Sequence, residues 1–270
     1  MRIVISIILL LSAVAMADDD PVVGLPLTGE TAVTFLRSAE VVGKPEKFDK
    51  VAITDPVRVT LTDGERSLRA IFKDEIESYS AFKFGDGTEV LGVKDSYKHE
   101  IAAYELDVLL GLGVVPPCVE RTLFRRTGSL CMWVEEAMDE AKRRQLGVQP
   151  PDLDQWNDQM ATVQVFQQWI NDLDQANIRN LVSDSNFKIY KVDSSMGFHA
   201  QRGLRDEGQL TRFSRRFLEA LKALDREVMD ERLGPWISKR NRKSLWGRRD
   251  RILELAAERV AERGEDAVLY

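Results

Sequence analysis

Histidine and cysteine are scarce in this chain, which has two of each among its 270 residues. The two histidines, His99 and His199, and the two cysteines form no set at the spacing of a zinc site, and no Ser-His-Asp arrangement is visible. The formal net charge of −6 argues against a general nucleic-acid-binding protein, so we predict no nucleic-acid partner. The chain also has no G-x-G-x-x-G loop and no low-complexity tract.

The N-terminus is typical of an export signal. Arg2 precedes an apolar run over residues 3–17, which is shorter than the about 20 residues that a membrane-spanning helix needs. Ala15-Met16-Ala17 has the small-x-small pattern of a cleavage site. We therefore predict a signal peptide over 1–17, cleaved near Ala17, and a periplasmic or secreted protein. Contact with a membrane is expected only if this segment stays uncleaved.

The two cysteines lie on opposite arms of a predicted β-hairpin. With the turn near Arg126, Cys118 would face Glu135 and Cys131 would face Thr122. That offset is about 13 Å along the strands, which is beyond the reach of a disulfide. We therefore expect two buried thiols.

The order of the predicted elements gives the domain organisation. After an N-terminal extension over 18–47, residues 48–136 have four predicted strands and one helix, and residues 137–270 are mostly helical. The predicted strands are 51–61, Ser67–Lys73, 119–124 and 129–135, and the predicted helices are 97–112, 153–169, 210–233 and 240–263, with a loop over 74–95. A small antiparallel sheet with one helix, followed by a helical lobe, predicts an α+β, bilobal fold of the protein-kinase-like type.

Polar residues in the stretch 165–198 carry the functional prediction. Asp174 follows an apolar segment, Asn180 comes six residues later, and Asp193 ends a strand-like apolar run. The first Asp can accept a proton from an attacking hydroxyl, whereas an Asn and a second Asp supply the hard oxygen ligands that Mg²⁺ prefers. The pattern indicates a phosphotransferase site, although Asp and Asn are also common in polar turns.

Lys73 ends a predicted strand, and a helix with two candidate carboxylates follows. An ammonium group in this position can bind the α- and β-phosphates of a nucleotide if a carboxylate on the facing helix holds it. Glu100 is the natural partner. Glu105 lies about 140° further around the helix, so the two cannot both face the site.

The sequence resembles a group of bacterial proteins with the PI3/4-kinase-like, HipA-like and secretory-pathway-kinase-like fold. The resemblance runs from about residue 48 to residue 270. It is carried by Ala70-Ile71-Phe72-Lys73, the helix sequence YKHEIAAYEL from Tyr97, Gly113-Val114-Val115-Pro116-Pro117, Val165-Phe166-Gln167-Gln168, Lys191-Val192-Asp193 and Leu233-Gly234-Pro235-Trp236. It implies that Lys73 holds phosphate, that Glu100 orients Lys73, and that Asp193 binds Mg²⁺.

The catalytic segment of that group is similar to N-T-D-R-N-x-G-N. An alignment on the preceding apolar run places the catalytic Asp on Asp174 and the metal-binding Asn on Asn180, with one inserted residue between them. Asp172 and Asn177 instead have the D-x-x-x-x-N spacing of phosphatidylinositol kinases, so this pair stays an alternative. The chain departs from the pattern in having Gln175 in place of the usual Arg.

The resemblance implies ATP and Mg²⁺ as cofactors and a hydroxyl as acceptor. The expected reaction is transfer of the γ-phosphoryl group to an unknown protein, lipid or sugar. The longer spacing from Asp174 to Asn180 supports an alternative, a pseudokinase that serves as a nucleotide-binding or protein-interaction module. An adenylyltransferase on the same fold is a third possibility.

Overall fold

The computed structural model describes residues 23–47, 56–84 and 87–270, so the predicted signal segment 1–17 lies outside the described residues. Strands dominate the first half of the described chain and helices the second. The α-helices and strands, in chain order, are α1 (Gly29–Ser38), β1 (Glu40–Lys47), β2 (Val57–Thr62), β3 (Ser67–Lys73), β4 (Ile76–Lys83), β5 (Glu89–Ser96), α2 (Tyr97–Leu110), β6 (Cys118–Leu123), β7 (Arg126–Met132), β8 (Met138–Asp139), α3 (Glu140–Leu146), α4 (Leu153–Ile170), β9 (Leu181–Ser183), β10 (Ile189–Lys191), α5 (Arg215–Ala223), α6 (Arg226–Leu233), α7 (Lys239–Arg263) and α8 (Glu265–Val268). This order agrees with the predicted α+β class.

Five antiparallel strands in the order β1-β2-β3-β7-β6 form the sheet of the first lobe. Successive side chains of a strand point to opposite faces, and β2 accordingly buries its apolar residues and leaves its polar ones half-exposed. Helices α1 and α2 pack on the edge strand β6 and its neighbour β7. The predicted strand 51–61 is observed from Val57, and residues 51–55 lie outside the described part. The boundaries 18–47, 48–136 and 137–270 stay predictions.

The prediction of a loop over 74–95 is wrong, because β4 and β5 form a two-stranded hairpin there. Most side chains of this hairpin are exposed, so the alternation of apolar and polar residues that marks a half-buried strand is weak. At its base Val93 packs with Leu173 and Met196. The hairpin therefore connects the first lobe to the segment that carries the predicted catalytic residues.

Helix α2 begins at Tyr97, as predicted, because the Ser96 hydroxyl accepts a hydrogen bond from the backbone N–H of Lys98 at 3.3 Å. It ends two residues before the predicted end. Gly111 takes the left-handed conformation there, with φ of 61°, which glycine adopts without steric cost. Buried residues occur on nearly all sides of α2, so its polar residues His99 and Glu100 are buried as well.

The prediction of two buried thiols is wrong, because Cys118 and Cys131 form a disulfide. The two residues are directly opposed across β6 and β7. The register differs from the predicted one because the turn falls on Phe124 and Arg125, both with positive φ. Glycine, asparagine and aspartate usually occupy such positions, so the sequence carries no signal for this turn.

Removal of this disulfide is expected to lower the free energy of unfolding by about 3 kcal/mol, because the bond joins residues 13 apart and restricts the unfolded chain. Urea unfolding of the protein before and after reduction measures the loss. The variant Cys118→Ser/Cys131→Ser should match the reduced protein and should not respond to reductant. An unchanged unfolding midpoint after full reduction would contradict the expectation.

The second lobe is built on α4 and α7, and its small sheet has the order β10-β9-β8. Both helices lie within two residues of their predicted bounds. The prediction of a single helix over 210–233 is wrong, because the structure has two helices there, α5 and α6. The Asp225 carboxylate begins α6 by accepting the backbone N–H of Glu227 at 2.7 Å and of Val228 at 3.0 Å. No helix in the described ranges has the length and apolar character needed to cross a membrane.

Arg248 on α7 holds the end of α4 in place. Its side chain is fully buried, and Nε donates to the carbonyl of Trp169 at 2.6 Å, while a terminal nitrogen donates to the carbonyl of His199 at 3.2 Å. Burial lowers the pKa of Arg248 to about 9. The arginine therefore connects α7 to the end of α4 and to the residue that follows the predicted catalytic stretch.

Candidate active site

Lys73 lies between two carboxylates at the junction of the lobes. Its Nζ is 2.7 Å from Oε1 of Glu100 on α2 and 2.7 Å from Oδ1 of Asp193, which follows β10. Burial favours the neutral amine, but the charges of Asp193 and Glu100 outweigh it and raise the pKa of Lys73. Glu105 is not part of this cluster, since it forms an ion pair with Arg232. The structure thus brings together three of the predicted site residues.

Asp193 remains partly open to solvent, with 43% of its side chain exposed. Its backbone has a positive φ of 56°, and the Ser195 hydroxyl donates to its Oδ1 at 3.1 Å. Burial of the residue disfavours its charge, but the ammonium groups of Lys73 and Lys191 outweigh this effect and hold the pKa of Asp193 below its usual range. An ionised and partly exposed carboxylate is suited to bind a cation.

Asp174 and Asn180 are in direct contact. Asp174 Oδ2 accepts hydrogen bonds from Nδ2 of Asn180 at 2.8 Å and from Nδ2 of Asn177 at 3.0 Å. Burial, together with the charges of Asp172 and Asp193, raises the pKa of Asp174 despite these hydrogen bonds. Asp174 therefore has the properties of a proton acceptor that is stronger than an ordinary carboxylate.

Asp172 has a different environment. Its side chain is fully buried and its Oδ2 lies 2.9 Å from Nζ of Lys191, which is also fully buried. The other oxygen, Oδ1, accepts the backbone N–H of Asp174 at 3.1 Å. Asp172 is thus occupied in shaping the loop, and the geometry favours Asp174 with Asn180 over Asp172 with Asn177.

A cation bound here would find two ligands from the chain. Asn180 uses its amide nitrogen on Asp174, which leaves its amide oxygen available, and the backbone bond from Val192 N to Asn180 O at 2.9 Å holds this residue beside Asp193. Within residues 23–47, 56–84 and 87–270, no three His, Cys, Asp or Glu side chains gather as a metal site. Mg²⁺ commonly needs only one or two protein ligands, with phosphates and water completing its shell. The residues present therefore fit Mg²⁺ bound together with a nucleotide.

Two residues of the site had no signal in the sequence. Asp95, at the end of β5, is buried beside Ser195, and burial raises the pKa of Asp95. The Ser195 carbonyl accepts the backbone N–H of Ser96 at 3.0 Å and contacts Nδ1 of His99 at 2.7 Å. These contacts fasten the segment after Asp193 to the start of α2.

Comparisons with known proteins support the fold. Neither a scan against protein-family models nor a search of curated proteins returns a match. Among solved structures, the chain is similar to the structure of hydra Fam20 with sugar. The alignment covers 88% of this chain and 90% of the Fam20 chain, with a TM-score of 0.60 and 15% sequence identity. At this identity the similarity shows the fold alone. It confirms the predicted bilobal, kinase-like fold.

Proposed function

We propose that this chain binds ATP with Mg²⁺ and transfers the γ-phosphoryl group to a hydroxyl of a protein, lipid or sugar acceptor. The observation that carries the proposal is the position of Lys73, whose Nζ is 2.7 Å from both Glu100 and Asp193 at the lobe junction. A buried lysine fixed by a helix carboxylate and next to a metal-binding aspartate is the arrangement that phosphoryl transfer from ATP requires.

Each residue of the site has a role in this proposal. Lys73 binds the phosphates, and Glu100 fixes its ammonium group. Asp193 and Asn180 hold Mg²⁺, which when bound neutralises phosphate charge. Asp174 accepts the proton of the attacking hydroxyl, and its raised pKa suits this task.

The proposal includes export and leaves the acceptor open among three classes. The disulfide between Cys118 and Cys131 supports an oxidising compartment, as expected outside the cytoplasm. A sugar acceptor draws support from the Fam20 structure with sugar. Relationship to bacterial PI3/4-kinase-like or HipA-like proteins belongs to the proposal and rests on the sequence resemblance.

ATP with Mg²⁺ is expected to raise the melting temperature, because a ligand that binds the folded state stabilises it, by about 2.7 kcal/mol at a hundredfold excess over Kd. Asp193→Asn should remove the Mg²⁺-dependent part of this shift. Glu105→Gln is the control. Like Asp193→Asn it replaces a carboxylate by an amide, but Glu105 pairs with Arg232 and lies outside the Lys73 cluster. A shift that is absent, or that Asp193→Asn leaves intact, would refute the proposed nucleotide site.

The mass of the modified acceptor or of the self-modified protein separates the remaining alternatives. Addition of a phosphoryl group supports the proposed reaction, and addition of a nucleotide monophosphate supports an adenylyltransferase. A nucleotide-dependent thermal shift without any ATP consumption would support the pseudokinase.

A further inference from the structure

A cavity of about 270 Å³ lies beside the candidate active site. Its walls come from both lobes: β5 and the start of α2 on one side, and residues 196–200 with the start of α7 on the other. Leu173 reaches it, but Lys73, Glu100, Asp174, Asn180 and Asp193 do not line it. A molecule in this cavity would therefore touch the supports of the active site without touching the catalytic cluster.

The cavity has a positive lining. Lys94 and Arg240 contribute to its wall, and no aspartate or glutamate does. Neither cation forms an ion pair with any residue in the described part of the chain. The N-terminus of α7, a helix of 25 residues, also lies at this wall and adds its partial positive charge. The electrostatics therefore favour an anion.

His99 places a second requirement on a ligand of this cavity, in addition to negative charge. Its side chain is buried and lines the cavity, and its Nδ1 is 2.7 Å from the carbonyl oxygen of Ser195. A carbonyl only accepts hydrogen bonds, so Nδ1 carries the hydrogen and Nε2 carries a lone pair when the ring is neutral. The ring is neutral at pH 7, because burial and the nearby charge of Lys94 lower the pKa of His99 to about 4.

The lone pair of Nε2 is without a donor among the residues that the structure describes. His199 differs, because both of its ring nitrogens are engaged: Nε2 bonds the carbonyl of Leu91 at 3.0 Å and Nδ1 accepts the backbone N–H of Gln201 at 3.4 Å. Nε2 of His99 is not among the fully buried unpaired atoms, so it is open to solvent on the cavity side. A ligand that fills the cavity replaces the water there and must supply a hydrogen-bond donor in its place, because an acceptor left without a donor is costly. A ligand that fills the cavity thus needs both negative charge and a hydrogen-bond donor, such as an O–H group.

We propose that this cavity is a binding site for a small anion that carries a hydroxyl, of which hydrogen phosphate is the simplest member. Lys94 and Arg240 bind the charged oxygens, and the O–H donates to Nε2 of His99. The volume of about 270 Å³ leaves room for a small organic group on the anion, as in a phosphorylated polyol. The site is separate from the catalytic cluster, so it does not depend on the proposed phosphoryl transfer.

Titration calorimetry with hydrogen phosphate and with sulfate tests the proposal. At a pH where both ions are dianions and at equal ionic strength they differ in the O–H group, which sulfate lacks. We expect phosphate to bind at least about fivefold more tightly than sulfate, because only phosphate can donate to His99. Equal affinities for the two anions, or no measurable binding of phosphate, would overturn the proposal.

Charge variants locate the site. Lys94→Gln/Arg240→Gln should weaken phosphate binding at least about tenfold, since both lost contacts are charge-assisted. Lys239→Gln is the matched control, because Lys239 is exposed, precedes Arg240 on α7 and does not line the cavity. It should change the affinity by less than about twofold. An equal loss in the control would overturn the assignment to this cavity, whereas a failed ATP shift would leave it standing.

Discussion

Asp174→Asn is expected to lower the rate of ATP turnover by about 10²- to 10⁴-fold, the usual contribution of a general base. Asparagine has nearly the same size as aspartate and can still accept hydrogen bonds from Asn177 and Asn180, but it cannot take a proton. The affinity for ATP with Mg²⁺ should stay close to that of the unmodified protein, because Asp174 does not contact Lys73. ATP consumption by the protein measures the rate without an identified acceptor, and thermal shift measures the affinity.

The pH dependence of the same rate gives a second readout. Burial, with the charges of Asp172 and Asp193, raises the pKa of Asp174. The base form is lost as pH falls through that raised pKa, so turnover should decline at a higher pH than an ordinary carboxylate would give. Asp174→Asn should remove this acid limb from the residual activity.

Asn177 and Asn180 offer a matched pair of control variants. Both donate an amide hydrogen to the same oxygen of Asp174, at 3.0 and 2.8 Å. Asn180→Ala should also raise the Mg²⁺ concentration needed for turnover, because only Asn180 lies beside Asp193. A larger effect of Asn177→Ala, or full turnover by Asp174→Asn, would contradict the assigned pair and favour Asp172 with Asn177.

The pairing of Lys73 with Glu100 could be predicted because local geometry fixes both residues. Lys73 ends a strand whose alternation is clear in the sequence, and α2 has strong start and stop signals. Once the helix covers the sheet, only one of two glutamates can face the strand end. The position of Asp193 could be predicted in the same way, because the apolar run of β10 ends just before it.

Other features depend on contacts that leave no local pattern. Lys191 occupies a strand as any exposed lysine would, and nothing nearby in the sequence indicates that it is fully buried against Asp172. The turn at Phe124 and Arg125 lacks the usual turn residues, so the predicted register was wrong and the disulfide was missed. The burial of Asp95 comes from the hairpin of β4 and β5, whose exposed strands look like a loop in the sequence.

Asp172→Ala is expected to lower the free energy of unfolding by about 3–5 kcal/mol, because it leaves the ammonium group of Lys191 buried without its counter-charge. The side chains of both residues are fully buried, 2.9 Å apart. The remaining partners of Lys191 Nζ are the carbonyls of Val192 at 2.6 Å and Asp193 at 2.7 Å, which cannot neutralise it. Urea unfolding measures the change.

Asp158→Ala is the control for this loss. Asp158 pairs with Arg212 at 2.8 Å, but both side chains are partly exposed, so the change should cost only about 0–1 kcal/mol. The double variant Asp172→Leu/Lys191→Met should recover most of the lost stability, since apolar residues of similar size often replace a buried ion pair without cost. It should not recover turnover, because the ammonium group that holds the backbone carbonyls around Asp193 is gone.

The comparison of stability with turnover decides the role of Asp172. If Asp172 shapes the loop, Asp172→Ala loses stability, and the double variant regains stability but not activity. If Asp172 were the base, Asp172→Ala would abolish turnover at nearly unchanged stability, and Asp174→Asn would remain active. The buried contact with Lys191 supports the first outcome, because a carboxylate that is ion-paired at 2.9 Å and closed off from solvent is not accessible to an acceptor hydroxyl.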